Sequence, residues 1–336
     1  MPDALPKKST IVRSFSRPLS RAHPRLRDPA TIRRAFGLLE RYAPGLGSRW
    51  AERLWCTLPP GSPKPVPPLA ERGMRSTLRI TLTNATGATQ TPIATEVWGT
   101  GPRTVYLLHG WGGHRGQLGA FVGPLVAAGY RVVSFDAPSH GDSGPGRFGP
   151  GRSLIPEFAQ ALAAVVDAFG PAHAVVAHSL GAGATAFAVI DGLKAERLVF
   201  IAPMSDATVY SYGFAELFGF GERIRSGLMR RLELRTGRPI GHFSMARRAA
   251  ETAGLPPLLV VHDREDKQIP LGQGRAIAEG WAGAALVDTR GLGHQRILRD
   301  PDVVELVAGF LVAPSVLVDD CVPATERAVQ TSGSPT

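Results

Sequence analysis

The sequence predicts an α/β fold: a mostly parallel central sheet, helices on both faces and a helical insertion. Three observations carry this expectation. Short runs rich in Val, Leu and Ile alternate with segments of helical period. The runs at 105–108, 174–177, 198–201 and 258–261 are apolar without strict alternation, as in strands covered on both faces. More than fifty residues separate the last two runs, far beyond an ordinary loop.

Apolar residues make up 43% of the 336 and charged residues 20%, which fits a folded globular body. The net charge of +10 is unevenly spread. Residues 1–53 hold 12 Lys/Arg against 4 Asp/Glu, and the remaining 283 are near neutral at +2. The excess belongs to an N-terminal extension, residues 1–75, whose first 28 residues are expected to be flexible. Such an arm can contact anionic surfaces weakly; no nucleic-acid partner is expected. Cys56 and Cys321 lie too far apart to build a disulfide framework. No apolar stretch follows Lys7 and Lys8, so no secretory signal is read and a cytoplasmic protein is expected.

Along the chain, Asp28-Pro29 reads as an N-cap followed by proline at the first helical position. Ile32, Phe36, Leu39 and Ala43 then recur at helical spacing until Pro44-Gly45. A second short helix carries Trp50, Leu54 and Trp55 on one face. With Arg33, Arg34, Arg41, Arg49 and Arg53 on the polar side, the pair could lie on a membrane surface, but packing on the main domain is the expected arrangement. Six prolines within 59–68 make a stiff spacer.

The core is assigned to 76–203 and 252–313. Leu78, Ile80 and Leu82 alternate with Arg79, Thr81 and Thr83 in a half-buried strand, and 93–98 is a second strand. Further strands follow at 105–108, 131–135, 174–177, 198–201, 258–261 and 286–288, with helices at 118–128, 155–169, from Leu180, and from Pro301. The insertion 204–251 reads as a helical lid. Its Tyr210, Tyr212, Phe214 and Phe218 are expected to form an apolar substrate pocket. Residues 314–336, polar and small toward their end, are expected to be a disordered tail.

Two segments carry chemistry. In Ala177-His178-Ser179-Leu180-Gly181 a serine lies between a buried strand and a helix, flanked by small residues two positions either side. Such a turn lifts the hydroxyl off the sheet edge and needs small neighbours because the two backbones pass closely. A plain helix N-cap is the alternative role of this serine. His109-Gly110-Trp111-Gly112-Gly113 follows a strand, where a glycine-rich turn can offer amides to an anion.

With these segments the chain resembles the α/β-hydrolase superfamily, which carries His-Gly-x-Gly and Gly-x-Ser-x-Gly at the corresponding places. Ala177 stands where the first glycine of the second motif is usual. A third match is Phe135-Asp136-Ala137-Pro138-Ser139-His140-Gly141-Asp142-Ser143. The resemblance implies an α/β-hydrolase fold with Ser179 as nucleophile and the amides of Trp111 and Leu180 as an oxyanion hole. It places the base after the last strand, at His294 in Gly291-Leu292-Gly293-His294-Gln295, and the acid at Asp266, three residues before Ile269-Pro270. Asp263 and Asp206 are alternatives for the acid. The implied activity is hydrolysis of a carboxylic ester with an apolar portion. Transfer of the acyl group to an alcohol, or non-catalytic ligand binding, are the alternatives. No cofactor is called for: zinc spacings, H-E-x-x-H and phosphate-binding loops are missing from the sequence.

Overall fold

The computed structural model describes residues 28–59 and 72–313. The arm of residues 1–27, nearly all of the proline-rich spacer and the C-terminal segment 314–336 lie outside these residues, and so do the expectations placed on them.

Eight strands form one sheet in the order β1-β2-β4-β3-β5-β6-β7-β8. Strands β1 (Met74–Asn84) and β2 (Gly87–Trp98) make an antiparallel hairpin at one edge, and β2 pairs antiparallel with β4 (Arg131–Phe135). From β4 onward every pairing is parallel, through β3 (Thr104–Leu108), β5 (Ala172–His178), β6 (Ala195–Ile201), β7 (Leu258–Asp263) and β8 (Ala284–Thr289). Strand β8 is longer than its apolar pattern suggested, because as an edge strand it pairs on one side only and is half-buried throughout.

The central strands divide two cores between them. In β3, Tyr106 and Leu108 join one cluster and Val105 and Leu107 the other, all fully buried. Alternate residues of a strand point to opposite faces, so an unbroken apolar run implies cover on both. Ile155–Phe169 and Leu180–Ile190 cover the first face; Pro301–Val312 covers the second. The helix expected at 118–128 begins as a 3-10 turn, Arg115–Phe121, capped by the His114 side chain, and becomes α-helical only at Val122–Ala127. Gly116, Gly119 and Gly123 weaken regular helix there.

The N-terminal helices, α1 (Pro29–Tyr42) and α2 (Pro44–Cys56), open as their sequence requires. Asp28 accepts from the Ala30 and Thr31 amides ahead of the first, and Pro29 and Pro44 stand at the first positions. They pack chiefly on the insertion. Ile32, Phe36, Ala51 and Cys56 share a core with Phe214, Ile224, Leu228 and Leu232. The insertion itself comprises the helices Ala207–Phe218, Glu222–Thr236 and Met245–Ala250, with a 3-10 turn at Ile240–Phe243. No helix among the described residues is long and apolar enough to cross a membrane.

Candidate active site

Ser179 ends the turn between β5 and the helix Leu180–Ile190, with φ 55° and ψ −120°. A non-glycine residue rarely adopts a positive φ, and such strain persists only where the surroundings enforce it. Here the strand and helix leave no room for alternatives. A Cβ on Gly181 would lie 2.3 Å from the His109 carbonyl oxygen, and one on Gly110 would lie 2.9 Å from Cβ of Ser179.

His294 sits on the short helix Gly293–Arg296 beyond β8. Its Nδ1 donates to Oδ2 of Asp266 at 2.6 Å, and its Nε2 stands 3.1 Å from Oγ of Ser179. With Nδ1 protonated toward the carboxylate, Nε2 is the acceptor for the serine proton. The other Asp266 oxygen accepts from the amides of Gln268 and Ile269, at 2.7 and 2.9 Å. All three side chains are buried.

The two alternative acids have other partners. Asp263 accepts from the Glu265 amide, the Thr289 hydroxyl and the Leu292 amide, and so ties the end of β7 to the loop that presents His294. Burial pulls its carboxyl upward, but the hydrogen bonds from Thr289, Leu292, Gly293 and Glu265 outweigh this and hold it below the usual carboxylate range. Asp206 caps the helix Ala207–Phe218 through the Thr208 amide at 2.7 Å.

The glycine-rich loop is held from several sides. Gly110 N–H donates to Oε1 of Gln117, Gly112 N–H to Nε2 of His140, and Gly113 N–H to the Gly110 carbonyl. These bonds use the loop amides on either side of Trp111. The Leu180 amide opens its helix, where no carbonyl of the preceding turn can reach it. His109 and His140 are structural: each donates Nδ1–H to a backbone carbonyl and accepts a backbone amide at Nε2. Burial lowers His109 to about 4 and His140 to about 3, so both are neutral near pH 7. Arg115 anchors the far end of the loop on Glu96, Asp136 and Asp142.

Ser179 opens into a cavity of about 110 Å³ without a charged side chain in its wall. Trp55, Trp111, Leu154, Met204, Phe243 and Ile269 supply apolar surface; Tyr210, Thr236 and Gln268 are the polar members besides the serine. Of the four aromatic residues expected in the pocket, Tyr210 alone lines it. Phe214 lies behind Trp55, edge-to-face at 5.1 Å, and is fully buried. Phe218 packs against Phe36 and Phe214. Tyr212, half a turn away from Tyr210 on the helix, faces outward at 52% exposure under the Arg225 guanidinium. One helix face cannot present side chains two residues apart in the same direction. Sequence reasoning missed Trp55, because nothing in the amphipathic pattern of α2 says that it crosses under the insertion.

Comparison with known proteins settles the family. The model of the alpha/beta hydrolase family matches residues 105–306. The chain belongs to that family. As an α/β hydrolase it is 33% identical over 131 residues to the dihydrolipoyllysine-residue acetyltransferase component of the acetoin cleaving system of Cupriavidus necator, covering 38% of this chain and 30% of that one. It is 37% identical over 107 residues to the 2-hydroxy-6-oxononadienedioate/2-hydroxy-6-oxononatrienedioate hydrolase 1 of Dechloromonas aromatica, covering 30% of this chain and 36% of that one. The α/β hydrolase thus spans about a third of the length of these two curated relatives. Among solved structures, a monoacylglycerol lipase of Paleococcus ferrophilus superposes with a TM-score of 0.51 at 21% identity, over 66% of this chain and 98% of the lipase. That likeness concerns the fold.

Proposed function

We propose that this α/β hydrolase is a serine hydrolase that cleaves a carboxylic ester through an acyl-enzyme. The observation that carries the reading is the continuous path from Asp266 through His294 to Ser179, 2.6 and 3.1 Å in its two steps, ending at an uncharged cavity. His294 takes the hydroxyl proton as Oγ attacks the acyl carbon. Asp266 holds the imidazole in the productive tautomer and stabilises its protonated form. The Trp111 and Leu180 amides hold the oxyanion, each contributing roughly 3–4 kcal/mol to the transition state. The protonated His294 then gives its proton to the leaving alcohol. Water, deprotonated by the same imidazole, releases the acid and regenerates the serine.

The substrate class follows from the wall of the cavity. A charged acyl group would lose hydration there and meet no opposite charge, so an ester of small to medium size with an apolar portion is the substrate we infer. Labelling with an alkyl fluorophosphonate followed by peptide mapping tests the nucleophile. Modification at Ser179 is expected; a chain that hydrolyses esters yet leaves Ser179 unlabelled would refute the mechanism.

A further inference from the structure

The outer face of the N-terminal helix pair has an unusual distribution of side chains. Leu38, Tyr42 and Leu46 are exposed to 63%, 70% and 58%, and they cluster about the corner where α1 passes into α2. Leu38 and Tyr42 are one helical turn apart, so they share a face. Around them stand Arg34, Arg41, Arg49 and Arg53, all exposed, and none forms an ion pair among the described residues.

The two carboxylates of the pair are both turned inward. Glu40 accepts from the Arg223 and Ile224 amides, and Glu52 pairs with Arg231 and Arg235. The outward surface between Pro29 and Cys56 is therefore apolar and cationic. Residues 1–27 add seven Lys/Arg against one acidic residue.

The inner face of the same helices touches the cavity. Trp55 of α2 forms part of its wall, and so do Leu232 and Thr236 of the insertion helix on which α2 lies. That packing is close: a Cβ on Gly47 would meet Ile224, and one on Gly227 would meet Ser48.

We propose that the α1–α2 face docks on an anionic lipid bilayer. Leu38, Tyr42 and Leu46 enter the boundary between headgroups and acyl chains, while Arg34, Arg41, Arg49 and Arg53 meet the phosphates. Apolar side chains ringed by arginine suit this occupant, because the chains replace water around the leucines and the lipid charge answers the guanidinium groups. A consequence, which rests on the ester-hydrolase reading, is that the cavity wall lies next to the membrane that supplies an apolar ester.

Co-sedimentation of the full chain with phosphatidylcholine vesicles, with and without one-third phosphatidylglycerol, tests the docking. Binding to the anionic vesicles is expected, falling as salt is raised. Arg41→Gln together with Arg49→Gln should lower partitioning by roughly 25-fold, about fivefold per charge. Leu38→Ser together with Leu46→Ser should lower it by roughly tenfold or more. These sites are exposed, so folding should be unchanged by circular dichroism.

Full binding by the leucine variant would overturn the proposal, since the basic arm alone would then explain attachment. Equal binding to neutral and anionic vesicles would overturn it too, as would a dimer in sedimentation that the leucine substitutions dissolve. Ser179→Ala should bind vesicles like the wild type, so failure of the catalytic reading and failure of docking are separable.

Discussion

Nε2 of His178 donates to the backbone carbonyl of His294 at 3.0 Å, and the two rings stand 4.5 Å apart. The residue just before Ser179 thus fixes the backbone of the residue that faces it. Burial holds His178 well below the ordinary histidine range, so this donor stays neutral and adds no charge beside His294. Gln117 makes a similar link, accepting from Gly110 and donating to Gln295. The serine turn, the glycine-rich loop and the histidine loop are therefore one hydrogen-bonded unit.

Ser179→Ala should reduce turnover of an ester substrate by roughly four to six orders of magnitude. The thermal midpoint should change little, because the substitution removes one hydroxyl and relieves no packing. Burst kinetics with a chromogenic ester would give the comparison, and residual turnover within tenfold of the wild type would remove the serine from the mechanism.

The two neighbouring aspartates should separate by effect. Asp266→Asn should cut kcat by roughly 10⁴ through loss of the correct tautomer. Asp263→Asn should chiefly destabilise, by about 1–3 kcal/mol, because the carboxylate holds Thr289, Leu292 and Glu265. Paired measurements of kcat and urea unfolding would read both quantities.

Acid should weaken the fold through the glycine-rich loop. His109 and His140 titrate at about 4 and 3 when folded, against 6.5 in an unfolded chain. Below pH 6.5 the unfolded state takes up protons that the folded state does not. Stability should therefore fall as pH drops from 6.5 toward 4, by up to about 1.4 kcal/mol per pH unit for each histidine. His140→Gln should flatten the slope of unfolding free energy against pH by close to one proton; an unchanged slope would contradict this assignment.

Trp55→Ala should widen the cavity and move preference toward longer acyl chains. It should also cost about 3–5 kcal/mol in stability, because Trp55 supports Phe214. A chain-length series of nitrophenyl esters would show the shift as a change in the ratio of kcat/KM values.

Gly181→Ala should be poorly tolerated. The added methyl would meet the His109 carbonyl 2.3 Å away, in a part of the site that has no slack. Overpacking of this kind costs about 1–3 kcal/mol or displaces the turn, and soluble yield with probe labelling would report either outcome.

The sequence by itself determined the parallel α/β core. Unbroken apolar strands demand cover on both faces, and the roles expected of Ser179, Asp266 and His294 came from the motifs that the chain shares with the α/β-hydrolase superfamily. It also determined the local cap at Asp28, because a cap depends on residues within one helical turn. Tertiary structure alone decided which aspartate faces His294. Asp263 and Asp266 both follow β7, and only the path of the chain after β8 brings His294 onto one of them. It likewise decided the pocket. Tyr212, Phe214 and Phe218 looked equivalent to Tyr210 as aromatic residues of one segment, yet the helix turned Tyr212 to solvent and Trp55 arrived from 159 residues upstream to cover Phe214. Periodicity records which side of an element is buried, whereas the partner that buries it is chosen by how distant elements pack.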